Sequence, residues 1–214
     1  MQIGVIGSGR VGLVVGASLA GSGHSVVCHD RDEGKIALLA AGSVPFFEPG
    51  LDHLVAQGMA ADYLRFTTRM EEAVKDAEVL FICVGTPISD GGGLDITAVG
   101  SVSEQIAPLM RGYTVLILKS TVPVGTAQTV EETIRERAGD GVEFDVVSMP
   151  EFLREGAAVE DFRHPQRLVI GCDSERAKAR VLQLFGNISC PVIITNHQEA
   201  ELIKQVSNCF LAVK

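Results

Sequence analysis

Short apolar runs alternate with segments of helical period almost to the end of the chain. The runs predict strands at Gln2–Ile6, Ser25–His29, Val79–Val84, Thr114–Leu118, Phe144–Val147, Leu168–Gly171 and Val192–Ile194. Between them, helical spacing predicts Val11–Ala20, Glu33–Ala41, Leu51–Gln57, Met70–Lys75, Ile96–Pro108, Thr126–Arg137 and Glu175–Phe185. Strands that are apolar throughout, rather than alternating, belong to a parallel sheet covered on both faces. The expectation is therefore an α/β fold: a doubly wound, mostly parallel Rossmann-type sheet with helices on both faces. Two long loops follow strands, Gly85–Asp95 and Pro150–Gln166, and such loops carry ligands at the carboxyl edge of an open sheet.

From Gln198 the chain has helical amphipathicity, with Ala200, Ile203, Val206 or Ser207, and Phe210 expected on the packed face. No Gly, Asn or Pro closes this helix before Lys214, so it is expected to be the start of a longer connecting helix. The domain reading is residues 1–196 as a dinucleotide-binding domain and 197–214 as the beginning of that helix.

Charge narrows the partners. Of 214 residues, 18 are Lys or Arg and 27 are Asp or Glu, a formal charge of −9. That argues against nucleic acid or an anionic membrane as partner, because phosphate-binding surfaces need a net basic face. Neither a membrane-length apolar run nor a signal-type N-terminus is apparent, and the expected location is the cytoplasm. The five cysteines and five histidines lack metal spacing and CxxC pairs, so packing roles and no metal site are expected.

The first chemical motif is Gly7-Ser8-Gly9-Arg10-Val11-Gly12, placed between a strand and a helix. Gly7 permits the tight turn, Gly9 admits a pyrophosphate, and Gly12 lets the helix pack on the strand. A helix N-terminus there offers free N–H groups to an anion, with Arg10 as an added cation. Asp30 ends the second strand, 18 positions after Gly12, where a carboxylate takes the ribose hydroxyls and repels a 2′-phosphate. NAD is the expected cofactor. The neighbouring Arg31 is the feature that would suit NADP instead.

Three further strings lie at strand ends: Val84-Gly85-Thr86-Pro87, Ser120-Thr121-Val122-Pro123-Val124-Gly125-Thr126 and Pro150-Glu151-Phe152-Leu153-Arg154-Glu155-Gly156. With the glycine loop, Phe47-Glu48-Pro49-Gly50-Leu51, Arg167-Leu168-Val169-Ile170-Gly171 and Glu201-Leu202-Ile203-Lys204-Gln205-Val206-Ser207-Asn208, their order resembles the UDP-glucose/GDP-mannose dehydrogenase family over essentially the whole chain. The resemblance implies oxidation of the C6 alcohol of a nucleotide sugar to a carboxylate in two NAD-dependent steps through a covalent cysteine intermediate. It implies that Thr86, Pro87, Ser120 and Thr121 line the nicotinamide side, joining Gly7, Gly9, Arg10, Val11, Gly12 and Asp30. Lys35 would reach the adenosine ribose and Glu155 would lie near the nicotinamide. Thr121 would also hold a water or oxygen near the reacting carbon. Glu151, Phe152, Leu153, Arg154 and Glu155 would cradle the nucleotide sugar, with Glu151 the acid–base residue of thioester hydrolysis. Lys204 and Asn208, four apart on one helical face, would stabilise negative charge on the substrate oxygen.

Taken alone, the same residues have plainer readings: Lys204 as a solvated charge, Glu151 as a helix-start acid, Thr121-Val122-Pro123 as a turn. Two departures from the family stand out. Met149 occupies the place of an Asn before the Pro-Glu pair, and the glycine-rich segment with the cysteine nucleophile is absent. The expectation is thus an N-terminal NAD-binding portion, inactive alone and without the UDP-sugar-binding domain. The parent is expected to be a homodimer or higher oligomer, with a monomer plausible for this piece. The motif Phe162-Arg163-His164-Pro165-Gln166-Arg167 resembles the UDP-glucose branch. Competing readings are a β-hydroxyacid-type NAD dehydrogenase, which leaves the 150–156 string unexplained, and a stand-alone dinucleotide-binding module without catalysis.

Overall fold

The computed structural model describes residues 1–214. Its strands are β1 (Gln2–Ile6), β2 (Ser25–His29), β3 (Leu64–Thr67), β4 (Val79–Ile82), β5 (Tyr113–Leu118), β6 (Glu143–Ser148), β7 (Leu168–Gly171) and β8 (Val192–Thr195). The helices are α1 (Arg10–Gly21), α2 (Glu33–Ala40), α3 (Leu51–Ala60), α4 (Met70–Val74), α5 (Thr97–Ile106), α6 (Thr126–Arg137), α7 (Ala158–Arg163), α8 (Glu175–Leu184) and α9 (His197–Val213). All eight strands form one sheet in the order β3-β2-β1-β4-β5-β6-β7-β8. Neighbours run parallel except β6 and β7, which meet antiparallel at Ser148 and Gly171. The expected doubly wound sheet is what the chain forms.

Alternation along each strand sends side chains into two cores. On one face Val5, Cys28, Phe81, Ile117 and Val147 pack against α1, α2, α3, α7 and α8. On the other Ile6, Leu80, Ile82, Leu116 and Leu118 pack against α4, α5 and α6. Helix starts are fixed locally: Asp32, Ser174 and Asn196 each accept an N–H from the third residue onward. No helix is long and apolar enough to cross a membrane.

Four details differ from the sequence reading. Residues Leu64–Thr67 form a strand that periodicity missed, because Arg65 interrupts a four-residue run that pairs only with β2. The expected loop 150–166 contains α7, whose Ala158, Val159 and Phe162 face the core. The apolar run of β8 is not sandwiched: it pairs only with β7, and Val192, Ile193 and Ile194 stay 41–50% exposed. On α9 the packed face is Ala200, Glu201 and Lys204, whereas Val206 and Phe210 are exposed. Two buried charges there have partners, which a hydropathy pattern cannot register.

The carboxyl edge of the sheet reverses between β1 and β4, since β2 and β3 lie to one side and β5 to β8 to the other. Ligands of open α/β sheets bind in the crevice at such a switch point. The turn after β1 and the loop after β4 meet there.

Candidate active site at the carboxyl edge

Gly7 turns out of β1 with φ +99°, and a Cβ there would strike the Cys83 carbonyl oxygen at 2.8 Å. A Cβ on Gly12 would lie 1.9 Å from the Gly7 carbonyl oxygen, so α1 approaches the turn as only glycine allows. A Cβ on Gly9 would meet nothing within 4 Å: the space above that backbone is open. No side chain caps the N-terminus of α1. The result is an open cradle of N–H groups at a helix start, which fits a dinucleotide's pyrophosphate.

Beside it, Asp30 closes β2. One carboxylate oxygen accepts from Ser8 N–H at 3.0 Å and from Lys35 Nζ at 2.7 Å, and the other accepts from Asp32 N–H at 3.1 Å. Burial works to raise the Asp30 carboxyl. The Lys35 ammonium and the Asp32 and Ser8 N–H groups outweigh it and hold it below its ordinary value of 3.8. Asp30 and Lys35 are thus brought to one place, next to the glycine turn.

Arg10 is turned elsewhere. Its guanidinium donates to Glu48 at 3.1 Å and to the Phe47 carbonyl at 3.2 Å, stacks 4.7 Å over Phe46, and lies 3.5 Å from Glu155. Glu155 thereby faces the glycine loop.

The loops after β4 and β5 are tied together. Thr86 Oγ1 donates to the Thr121 carbonyl at 2.6 Å, and Ser120 Oγ to the Val84 carbonyl at 2.6 Å. Pro87 is exposed beside them. Leu118, Ser120, Thr121, Val122, Ser148, Pro150, Glu201 and Lys204 line one small cleft. Lys204 Nζ donates to Glu151 Oε1 at 3.0 Å, and the other Glu151 oxygen accepts the Leu153 N–H. The Phe152 ring carries two cations, Arg167 at 4.3 Å and Lys204 at 5.4 Å. Arg154 is held outward by Asp161 at 2.7 Å. Thr121, Glu151 and Lys204 therefore converge, while Asn208 lies one helical turn past Lys204 and is exposed.

Three buried charges escaped sequence reasoning. Glu201 accepts from Gly125 N–H at 2.6 Å and Ala127 N–H at 2.8 Å, pinning α9 to the start of α6. Glu48 bonds residues more than a hundred positions away. Lys119, buried directly after β5, has its ammonium pushed down to about 8 by burial, against the opposing pull of Cys83 and Glu151. Glu48 and Glu201 sit in motif strings, and Lys119 directly precedes the one that starts at Ser120. Met149 is fully buried in the core and its N–H reaches the Leu118 carbonyl at 3.0 Å, so it extends β6 rather than facing the cleft. No cluster of three or more His, Cys, Asp or Glu is placed to hold a metal.

Comparison with known proteins agrees with this geometry. The UDP-glucose 6-dehydrogenase of Rhizobium meliloti is 48% identical across the whole chain, which covers 50% of that protein. A ternary-complex crystal structure of GDP-mannose dehydrogenase from Pseudomonas aeruginosa superposes with a TM-score of 0.96 at 35% identity, covering all of this chain and 50% of that one. A UDP-glucose dehydrogenase from Pyrobaculum islandicum gives 0.94 at 37% identity, covering 98% and 50%. The chain spans about half the length of these proteins. Residues 1–189 match the NAD binding domain of the UDP-glucose/GDP-mannose dehydrogenase family, and the chain belongs to that family.

Proposed function

We propose that this chain is the cofactor-binding half of a nucleotide-sugar 6-dehydrogenase whose substrate is UDP-glucose. The observation that carries the reading is the Lys204–Glu151 ion pair at 3.0 Å, whose Lys204 lines one small cleft with Thr121. Oxidising an alcohol to a carboxylate removes two hydrides, adds one water and releases three protons; NAD, when bound, supplies the hydride acceptor. The chain's own residues bind and orient. Asp30 and Lys35 take the adenosine ribose, and the open turn at Gly9 takes the pyrophosphate. Thr86, Pro87, Ser120 and Thr121 border the nicotinamide. Lys204, 7% exposed, presents an ammonium in a poorly solvated position, where its charge acts strongly on a developing oxyanion. Asn208 adds an amide from the next turn, and Thr121 orients a water. Glu151, within reach of Lys204, takes a proton in the hydrolytic step, and Phe152, Leu153, Arg154 and Glu155 border the sugar nucleotide.

UDP-glucose is favoured over GDP-mannose by the 162–167 string and by the 48% identical relative named for that substrate. Residues 1–196 form the cofactor domain and 197–214 open a connecting helix to the sugar-nucleotide half. The parent acts in the cytoplasm as a homodimer or higher oligomer, without nucleic-acid or membrane partners. The test is a titration of this chain with NADH, NADPH, UDP-glucose and GDP-mannose, followed by turnover of the parent enzyme with each sugar. Preference of the parent for GDP-mannose would overturn the substrate assignment.

A further inference from the structure

The Glu48 carboxylate is fully buried and serves three parts of the chain at once. One oxygen accepts from Ala158 N–H at 2.8 Å, and the other accepts from Gly156 N–H at 3.0 Å and from Arg10 at 3.1 Å. Arg10 belongs to the glycine turn, Gly156 and Ala158 to the end of the 151–158 loop. Residues 46–48 also stack and bond to Arg10 through Phe46 and the Phe47 carbonyl. A buried carboxylate needs compensating donors, and here they come from two elements that bind different ligands. Replacing or displacing either donor leaves part of that charge unpaired, so the glycine turn and the loop cannot move independently at low cost.

We propose that Glu48 is a positioning residue that couples the two sites: filling the pyrophosphate cradle orders residues 154–158, and an ordered loop in turn tightens cofactor binding. The Glu48 side chain is fully buried and meets donors of the chain itself. The inference rests on the reading of 151–158 as the loop that meets the sugar nucleotide, but its test measures the loop itself and not turnover, so a wrong substrate leaves it intact. Reciprocity is a thermodynamic requirement of such linkage.

The experiment is amide hydrogen exchange across residues 152–160 of this chain, with and without saturating NADH. In the unaltered chain NADH is expected to slow exchange at 154–158 by about fivefold or more, the lower end of coupling between linked sites. Glu48→Gln keeps one acceptor but no charge for Arg10, and should reduce the NADH effect to about twofold or less at saturation. A purely structural clamp predicts something else: faster exchange in the variant with and without NADH, and an unchanged ratio. That result overturns the proposal. Should Glu48→Gln fail to fold, Arg10→Met carries the test: it leaves both amide bonds to Glu48 and removes the guanidinium that reaches Glu48 and Glu155. Glu155→Gln, which keeps the Arg10–Glu48 contact, separates the two links. Loss of the NADH response in Arg10→Met with the response retained in Glu155→Gln supports coupling through Glu48; a response in Arg10→Met equal to that of the unaltered chain, or one lost equally in Glu155→Gln, refutes it.

Discussion

Lys204 and Glu151 lie 53 positions apart in the chain and 3.0 Å apart in space, one on α9 and the other just past β6. Their side chains are 9% and 15% exposed. Two charges taken from water to this degree hold only as a pair, and truncating one leaves the other uncompensated. Lys204→Met is therefore expected to cost about 3 kcal/mol of stability, and Glu151→Gln a similar amount. The double variant should lose less than the two single losses combined. A urea-denaturation cycle measures the coupling; strict additivity would show that the pair is incidental.

On the proposed reading, Asp30 selects the cofactor. Asp30→Ala should weaken NADH binding by about 1–3 kcal/mol, because hydrogen bonds to a charged acceptor are lost, and should narrow the preference over NADPH. Its folded carboxyl titrates below the ordinary 3.8, so the stability it contributes is complete above that value and is lost as pH falls through the lower folded one. Asp30→Asn should flatten that acid limb. Fluorescence titration and acid denaturation check the two halves, and equal affinity for NADH and NADPH in the unaltered chain would count against the ribose role.

Gly171 sets how closely α9 approaches the sheet. A Cβ there would come 2.6 Å from the Ala200 Cβ and 2.7 Å from the Asn196 carbonyl oxygen, so backbone must yield. Gly171→Ala is expected to destabilise by about 1–3 kcal/mol through overpacking. Because α9 carries Lys204, the same change should weaken the Lys204–Glu151 coupling measured above. A variant with unaltered melting temperature and coupling would show that Gly171 does not set the position of α9.

How much of this was legible follows from what each residue needs. The glycine turn and Asp30 announce themselves because their chemistry is local, within one strand–turn–helix unit and the next strand end. Arg10 was legible as a residue and misplaced as a role: its cation serves Glu48 and Glu155 across the edge rather than standing free at the cradle. Taken alone, Lys204 reads as a solvated charge, and nothing in the pattern singles out Glu201, yet both are buried with partners at positions 125, 127 and 151. Tertiary pairing of this kind has no period. The motif strings flagged those residues only through family resemblance, without saying what they touch. The strand at Leu64–Thr67 was missed for a different reason: it is only four residues long and the exposed Arg65 interrupts its apolar run.

On the proposed chemistry, turnover needs a positioned thiolate. Cys28 and Cys83 are buried and their thiols are pushed up by burial, Cys83 to about 12; Cys172 is raised as well. Cys190 packs at the edge of the first core and Cys209 is exposed on α9. Oxidation through a covalent thioester requires a positioned, ionised nucleophile. The 214 residues alone are therefore expected to oxidise UDP-glucose at least about tenfold more slowly than the parent enzyme, ~1.4 kcal/mol or more in barrier. Following reduced nicotinamide with excess NAD compares them; comparable rates would show that no further thiol is needed.

Lys119 supplies a pH signature distinct from that of Asp30. It is 6% exposed, and burial, the leading influence, disfavours its charged form, with Lys204 adding repulsion while Cys83 and Glu151 oppose. Its folded value is about 8, against 10.5 when unconstrained. Between those values the unfolded chain binds more protons than the folded one, so stability should rise as pH increases from about 8 toward 10.5. Below that window both states are protonated and the folded state bears the full cost of a buried ammonium, roughly 3 kcal/mol at most. Lys119→Met keeps the stem's apolar packing and removes the charge. It should be stabilising or neutral near pH 7 and should abolish the alkaline rise, which denaturation midpoints taken across the window would reveal. A variant that keeps the rise would place the titration on another group, and one strongly destabilised at neutral pH would show that the ammonium is held by compensating charge from Glu151.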